Sequence, residues 1–302
     1  MQQQAKGQIS DQITAVPNSW YPVFIVRGAQ KSMMIDAGVN LLGPRYLESL
    51  GEALGNPGLL DYLFLTHSHY DHIGAAAYLK RRIPHLLIGA HEKLGDLLCK
   101  PSVLDMMNRL SNNHVQLLKY NKAAEDLTLE GFEIDIKLKQ GDVFDLGGLT
   151  CEVYETPGHT RDSLSFYLPE IKTLFPGEAC GVLQGETGSE VQVEFLSSYA
   201  DYIGSLKSLI DVKPERICLG HGWVLTGPDA TDYLRRSLAE TFRYHAVIED
   251  HLDAAGGDVE KAIRNMAHDE YDIKGGIYQD RAAYLTNLNA QIKHIAGLRE
   301  RR

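Results

Sequence analysis

The sequence predicts a mixed α/β body (α/β or α+β in class) that continues into a helical C-terminal extension, and three observations carry this prediction. From Trp20 to about Leu225, short β-type apolar runs alternate with helical stretches. After His221 the pattern becomes wholly helical. Of the 302 residues 44% are hydrophobic, enough for a substantial core, and no repeat, low-complexity tract or flexible linker interrupts them.

Residues 21–26 and 32–35 read as paired strands around a Gly28-Ala29-Gln30 turn, and 60–65 as a buried strand that runs straight into Thr66-His67. A helix follows over about 73–82. Residues 86–89, 132–138, 150–154, 164–167, 173–175 and 216–219 are further strands. Between the strands near Leu86 and Phe132, residues 103–120 place Leu104, Met107, Leu110, His114 and Leu117 at helical spacing, which suits a helix covering the sheet or walling a pocket. Three helices, 233–252, 259–266 and 284–298, are separated by Gly256-Gly257 and Gly275-Gly276, and Asp258 is a suitable N-cap. The expected organisation is a body over 1–228 with an extension over 229–302, which is either plain core cover or a lid that also carries a homodimer interface.

With 40 acidic against 30 basic residues, the net charge of −10 offers no footprint for nucleic acid and repels an anionic membrane surface. Residues 1–11 are polar, without an apolar leader core, and no apolar run approaches the ~20 residues that span a bilayer, so a cytoplasmic protein is expected. Cys99, Cys151, Cys180 and Cys218 lie far apart with no CxxC pair and read as small buried hydrophobes.

The chemistry concentrates in Thr66-His67-Ser68-His69-Tyr70-Asp71-His72, where a strand ends and a helix begins. Extended residues two apart share a face, so His67 and His69 point at one ion, while the turn into the helix redirects Asp71 and His72 toward a second. Neutral imidazoles with a carboxylate suit zinc or iron. An HxHxDH run in a chain with 12 histidines arises by chance on the order of once per thousand such chains. The other histidines, 85, 91, 114, 245, 251, 268 and 294, show no comparable spacing and read as structural or exposed.

This motif resembles that of the metallo-β-lactamase superfamily, whose remaining ligands follow in the order histidine, acidic bridge, histidine. Thr156-Pro157-Gly158-His159-Thr160, Phe175-Pro176-Gly177-Glu178-Ala179 and Leu219-Gly220-His221-Gly222 look like those three loops, and Asp36 in Ile35-Asp36-Ala37-Gly38 looks like the family aspartate that supports the metal loop without ligating. The resemblance, over about residues 20–225, implies a four-layer αββα sandwich. It places His67, His69 and His159 on one ion, Asp71, His72 and His221 on the other, and Glu178 between them. Glu178 stands where the family usually carries aspartate. Being one methylene longer, it binds a single ion, shifts the spacing, or changes the metal preferred. The order of segments, with inserted helices and a helical tail, is similar to the quinolone-signal response thioesterases.

Two divalent ions, zinc first with iron or manganese as alternatives, activate a water and polarise a substrate oxygen. Asp71 then both ligates and orients the water or relays its proton. The expected reaction is cleavage of a small-molecule acyl thioester or ester. Lactone or carboxylester hydrolysis, or a metal-stabilised regulatory module without turnover, stand as alternatives.

Overall fold

The apolar runs belong to strands whose two faces are both covered. The computed structural model describes residues 1–301 apart from 17, 19, 114–124, 186 and 278. One seven-stranded sheet takes, in order, β2 (Gly7–Gln8), β3 (Ile13–Val16), β4 (Val23–Arg27), β5 (Ser32–Ile35), β6 (Tyr62–Phe64), β7 (Leu87–His91) and β8 (Ile136–Leu138). The other takes β1 (Gln2–Gln4), β16 (Trp223–Thr226), β15 (Arg216–Cys218), β12 (Thr173–Phe175), β11 (Leu164–Leu168), β10 (Thr150–Glu155) and β9 (Val143–Asp145). β13 (Val182–Gln184) and β14 (Glu190–Gln192) form a separate hairpin. β5 through β8 pair in parallel, as do β12 and β15, and the remaining pairs within the sheets are antiparallel.

Alternation along each strand separates three cores. In β4, Phe24 and Val26 meet Phe166, Phe175 and Val224 between the sheets, whereas Val23 and Ile25 face an outer helical layer. That layer consists of α1 (Gly43–Leu54), α2 (Tyr70–Ile73), α3 (Ala76–Arg82), α4 (Lys93–Leu98) and α5 (Pro101–Asn112), which contribute Tyr46, Leu50, Ile73, Leu79, Leu94 and Met107. On the far side, Leu174, Ile217 and Leu225 pack against α6 (Tyr199–Val212), α7 (Pro228–Ala254), α8 (Val259–Met266) and α9 (Arg281–Arg299). The layers are therefore helix, sheet, sheet, helix: an αββα sandwich whose C-terminal helices share one core with α6 and the second sheet. No described helix is long and apolar enough to cross a membrane.

Several elements differ from expectation for local reasons. The helix expected over 73–82 is split into α2 and α3, because Gly74 passes against the 38–40 backbone; a Cβ there would lie 2.4 Å from Asn40 N. β6 is shorter than 60–65, since Leu60 closes a 3-10 turn and Thr66 is turned into the site. The strand over 132–138 shrinks to Ile136–Leu138. Of the helix expected over 103–120, α5 covers 103–112, and residues 114–120 lie outside the described ones. Cys99 corrects the expectation of four buried cysteines: it is exposed just past the end of α4, while Cys151, Cys180 and Cys218 are buried. The strands β1 to β3, β9, β13, β14 and β16 and the helices α1, α4 and α6 add to the elements expected.

Candidate metal centre

The site gathers at the carboxyl ends of β5, β6, β10, β12 and β15. Asp36, directly after β5, adopts φ of 62°, a conformation that aspartate tolerates better than most side chains. Its Oδ1 accepts from Thr66 N at 2.7 Å and from Thr66 Oγ1 at 2.9 Å, and its Oδ2 lies 2.8 Å from His72 Nδ1. One buried carboxylate thus holds both ends of the 67–72 loop. Within the loop, His67 Nδ1 meets Thr66 Oγ1 at 3.0 Å, and its Nε2 is buried with no partner among the described residues.

The later loops depend on two glycines. Gly158 has φ of 133°, and a Cβ there would lie 2.4 Å from Tyr202 N and Cα, so only glycine lets the His159 loop lie against α6. Gly177 has φ of 55°, with Thr66 Cβ 2.8 Å from where its own Cβ would be, which brings Glu178 against the first loop. His221 Nδ1 lies 2.6 Å from the Trp20 carbonyl, and its ring meets Tyr21 edge-on at 5.9 Å.

All seven side chains named from the sequence come together, as two groups with Glu178 in both. Ligand atoms of His67, His69, His159 and Glu178 lie within 4.8 Å of one another, as do those of Asp71, His72, His221 and Glu178. The carboxylate divides its oxygens. Oε1 is 3.0 Å from both His72 Nε2 and His221 Nε2, whereas Oε2 is 3.2 Å from His159 Nε2. His159 Nε2 is 3.1 Å from His69 Nδ1, and His221 Nε2 is 3.4 Å from Asp71 Oδ2. Donors held ~2.0–2.2 Å from a tetrahedral ion stand roughly 3.3 Å apart, so this spacing and the orphaned His67 Nε2 fit divalent cations.

Environment divides the histidines. Burial, reinforced by neighbouring imidazoles, holds His67 well below its ordinary pKa and pulls His69 down to about 4. Burial also lowers His159 against the opposing pull of Glu178. For His72, burial acts downward, but the Asp36 and Glu178 carboxylates outweigh it and hold the pKa well above the ordinary value. His221 is raised in the same way by Glu178 and Asp71 against burial. Glu178 is held well below the usual carboxylate range despite its burial, because His159, His221 and His72 surround it.

Other side chains complete the surroundings without forming a pattern in the sequence. Burial, with the Asp71 and Asp280 charges next, pushes the Tyr21 phenol far up, and Tyr70 is raised by burial, Asp71 and Tyr21 with Asp280 behind them. Asp280 caps the start of α9, accepting from Ala282 N at 3.0 Å and Ala283 N at 3.2 Å, so the extension contributes a charge that acts on Tyr21 and Tyr70. Glu194 is buried, and its carbonyl lies 2.8 Å from His159 Nδ1. The remaining described histidines join neither group: His91 accepts from Lys93 N, His245 stacks on Tyr199, and His294 accepts from Tyr199 N. His114 lies outside the described residues. The Cys180 thiol, buried and pushed up by that burial, is packing, while its carbonyl accepts from Tyr233 and Ser237.

An αββα sandwich carrying a histidine and carboxylate constellation at the strand ends defines a class of hydrolase. The chain belongs to the metallo-beta-lactamase superfamily, whose family profile matches residues 21–221, a span that contains all seven side chains. It is 26% identical over 211 residues to an acyl-coenzyme A thioesterase of Homo sapiens, covering 66% of this chain and 72% of that one. To a metallo-beta-lactamase fold-containing protein of Sulfurisphaera tokodaii it is 26% identical over 222 residues, covering 72% of this chain and 78% of that one. Among solved structures, a metallo-beta-lactamase family protein of Thermus thermophilus matches with a TM-score of 0.66 at 18% identity, over 99% of this chain and 93% of that one.

Proposed function

We propose that this chain is a dinuclear metal-dependent hydrolase that cleaves a small acyl thioester, with oxygen esters and lactones as the neighbouring substrates. The observation that carries the reading is the division of Glu178, with one oxygen turned to each of two complete donor groups. His67, His69 and His159 would hold one ion, Asp71, His72 and His221 the other, and Glu178 would serve both. Bound there, the ions would acidify a water and polarise the substrate carbonyl. The protein's own contribution is to fix the imidazoles through Asp36, Thr66 and the Glu194 and Trp20 carbonyls, and to place Asp71 at the accessible side. There Asp71 can orient the attacking water and take up its proton.

A thioester is favoured because a thiolate departs without a proton donor. The likeness to an acyl-coenzyme A thioesterase points the same way. The test is hydrolysis of a panel of acyl-coenzyme A thioesters, p-nitrophenyl esters and lactones by metal-loaded protein and by His69→Ala. Thioester cleavage that falls by at least about 10²-fold in the variant is the expected result. Cleavage unaffected by His69→Ala and by chelators would sink the mechanism.

A further inference from the structure

A short segment links the C-terminal helix to the metal centre. Residues 193–199 lie between α9 and the His159 loop. On the site side, the Glu194 carbonyl lies 2.8 Å from His159 Nδ1, and the Gly158 carbonyl accepts from Ser197 N at 3.0 Å, Ser198 N at 3.2 Å and Ser197 Oγ at 3.0 Å. On the helix side, Gln291 Nε2 donates to the Val193 carbonyl at 3.1 Å, and Asn287 Nδ2 donates to Glu194 Oε2 at 3.0 Å. His294 Nε2 accepts from Tyr199 N at 3.0 Å. Residues 287, 291 and 294 are spaced four and three apart, so they form one stripe of α9. Gln192 Nε2 closes the far side of the Glu194 carboxylate at 2.8 Å.

These polar groups sit where packing alone would favour leucine. Gln291 is 2% and Glu194 4% exposed, beside Leu288, Ile292 and Ile295 in the same core. Burying an amide and a carboxyl costs free energy unless every group is hydrogen-bonded. What the bonds add over apolar packing is a fixed position for the Glu194 backbone.

We propose that Asn287 and Gln291 are positioning residues for the metal centre, acting through the Glu194 carbonyl on His159. A carbonyl facing Nδ1 requires the hydrogen there, which leaves Nε2 as the lone-pair nitrogen and fixes the ring plane. Nε2 is the atom turned toward His69 and Glu178. The extension is then a working part of the ligand set, not a cover over it. This inference rests on the metal reading given above.

Full-length protein stripped of metal and titrated with Co²⁺, whose visible absorption reports coordination geometry, tests it. The comparison is wild type, Asn287→Ala, Gln291→Ala and Leu288→Ala. Both polar variants are expected to bind Co²⁺ about 10-fold more weakly, the lower end of the effect of losing an outer hydrogen bond to a ligand, and with an altered absorption band. Leu288→Ala, which removes buried packing from the same helix, should lower the melting temperature and leave affinity and band unchanged. Asn287→Gln, which keeps the amide donor, should recover part of the loss. The two alanine variants break different contacts, so either one that folds is sufficient. Wild-type affinity and absorption in the polar variants, or an equal shift in Leu288→Ala, would overturn the positioning role alone. Failure of the wild type to take up Co²⁺ would overturn the metal reading, and the inference with it.

Discussion

The two halves of the centre share Glu178 and the same six-residue loop, yet they are prepared for a cation in opposite ways. The half made by His67, His69 and His159 is lined with imidazoles that burial and mutual repulsion keep neutral. The half made by Asp71, His72 and His221 lies among carboxylates, and Asp36 and Glu178 raise the pKa values of its imidazoles against the opposing effect of burial. The histidines alone therefore do not decide the character of a site. Partners distant in sequence do, and Asp36, Glu178 and Glu194 assign the roles.

The most disruptive way to test the comparison is to remove the group that both halves share. Glu178→Gln takes the charge out of a buried cluster and weakens a donor of both groups, so hydrolysis should fall by at least about 10²-fold. Elemental analysis should find fewer than two ions per chain. Glu178→Asp keeps the charge but shortens the reach, and retention of a single ion is expected. Two ions in Glu178→Gln would show that the halves are assembled independently.

Asp36 touches the second half directly, so Asp36→Asn should separate the two. The amide can still accept from Thr66 N through its oxygen, but its NH₂ then faces His72 Nδ1. That ring must turn its lone pair to Nδ1 and put the hydrogen on Nε2, the nitrogen facing Glu178. Affinity for the ion at His72 should drop about 10–100-fold, with a smaller change at His67, measured by competition with a chromophoric chelator. Equal weakening of both ions would erase the distinction.

The pieces of this centre differ in how far the sequence reveals them. The 67–72 run is local, and residues 159, 178 and 221 each follow a strand and a glycine, so spacing and backbone chemistry mark all seven together. The divided contact of Glu178 does not follow from the motif, where one extra methylene left one ion, altered spacing and altered metal preference open. In the fold its two oxygens face different groups. Glu194 and its grip on His159 have no local signature, since Asn287, which donates to its carboxylate, lies 93 residues away, and Gln291 lies 98 residues from the Val193 carbonyl it holds. β1 is similar: Gln2–Gln4 is polar throughout and becomes a strand because the edge of β16 is open to it, Gln3 pairing with Val224. α6 carries Tyr202, Leu206 and Leu209 at helical spacing, and its start is fixed by Ser198 accepting from Asp201 N.

The mildest test reads protons. Metal binds neutral imidazole, so a proton already on the ring must leave. Asp36 and Glu178 raise His72, and Glu178 and Asp71 raise His221, so both rings keep a proton to higher pH than an ordinary imidazole, and an incoming ion must displace whatever proton remains. Affinity at that half should rise with pH from below ~6.5 and level off only above the raised values. Below the pKa of each ring the slope approaches about tenfold per pH unit for each proton displaced. At the other half the pKa values are depressed, with His69 at about 4, so affinity should be flat around pH 7 and weaken only as pH falls toward that value. Calorimetric titration in two buffers of different ionisation enthalpy counts the protons. One ion should release them and the other should not. A count near zero for both would mean that Asp36 and Glu178 do not keep His72 and His221 charged, and that the two halves take up metal alike.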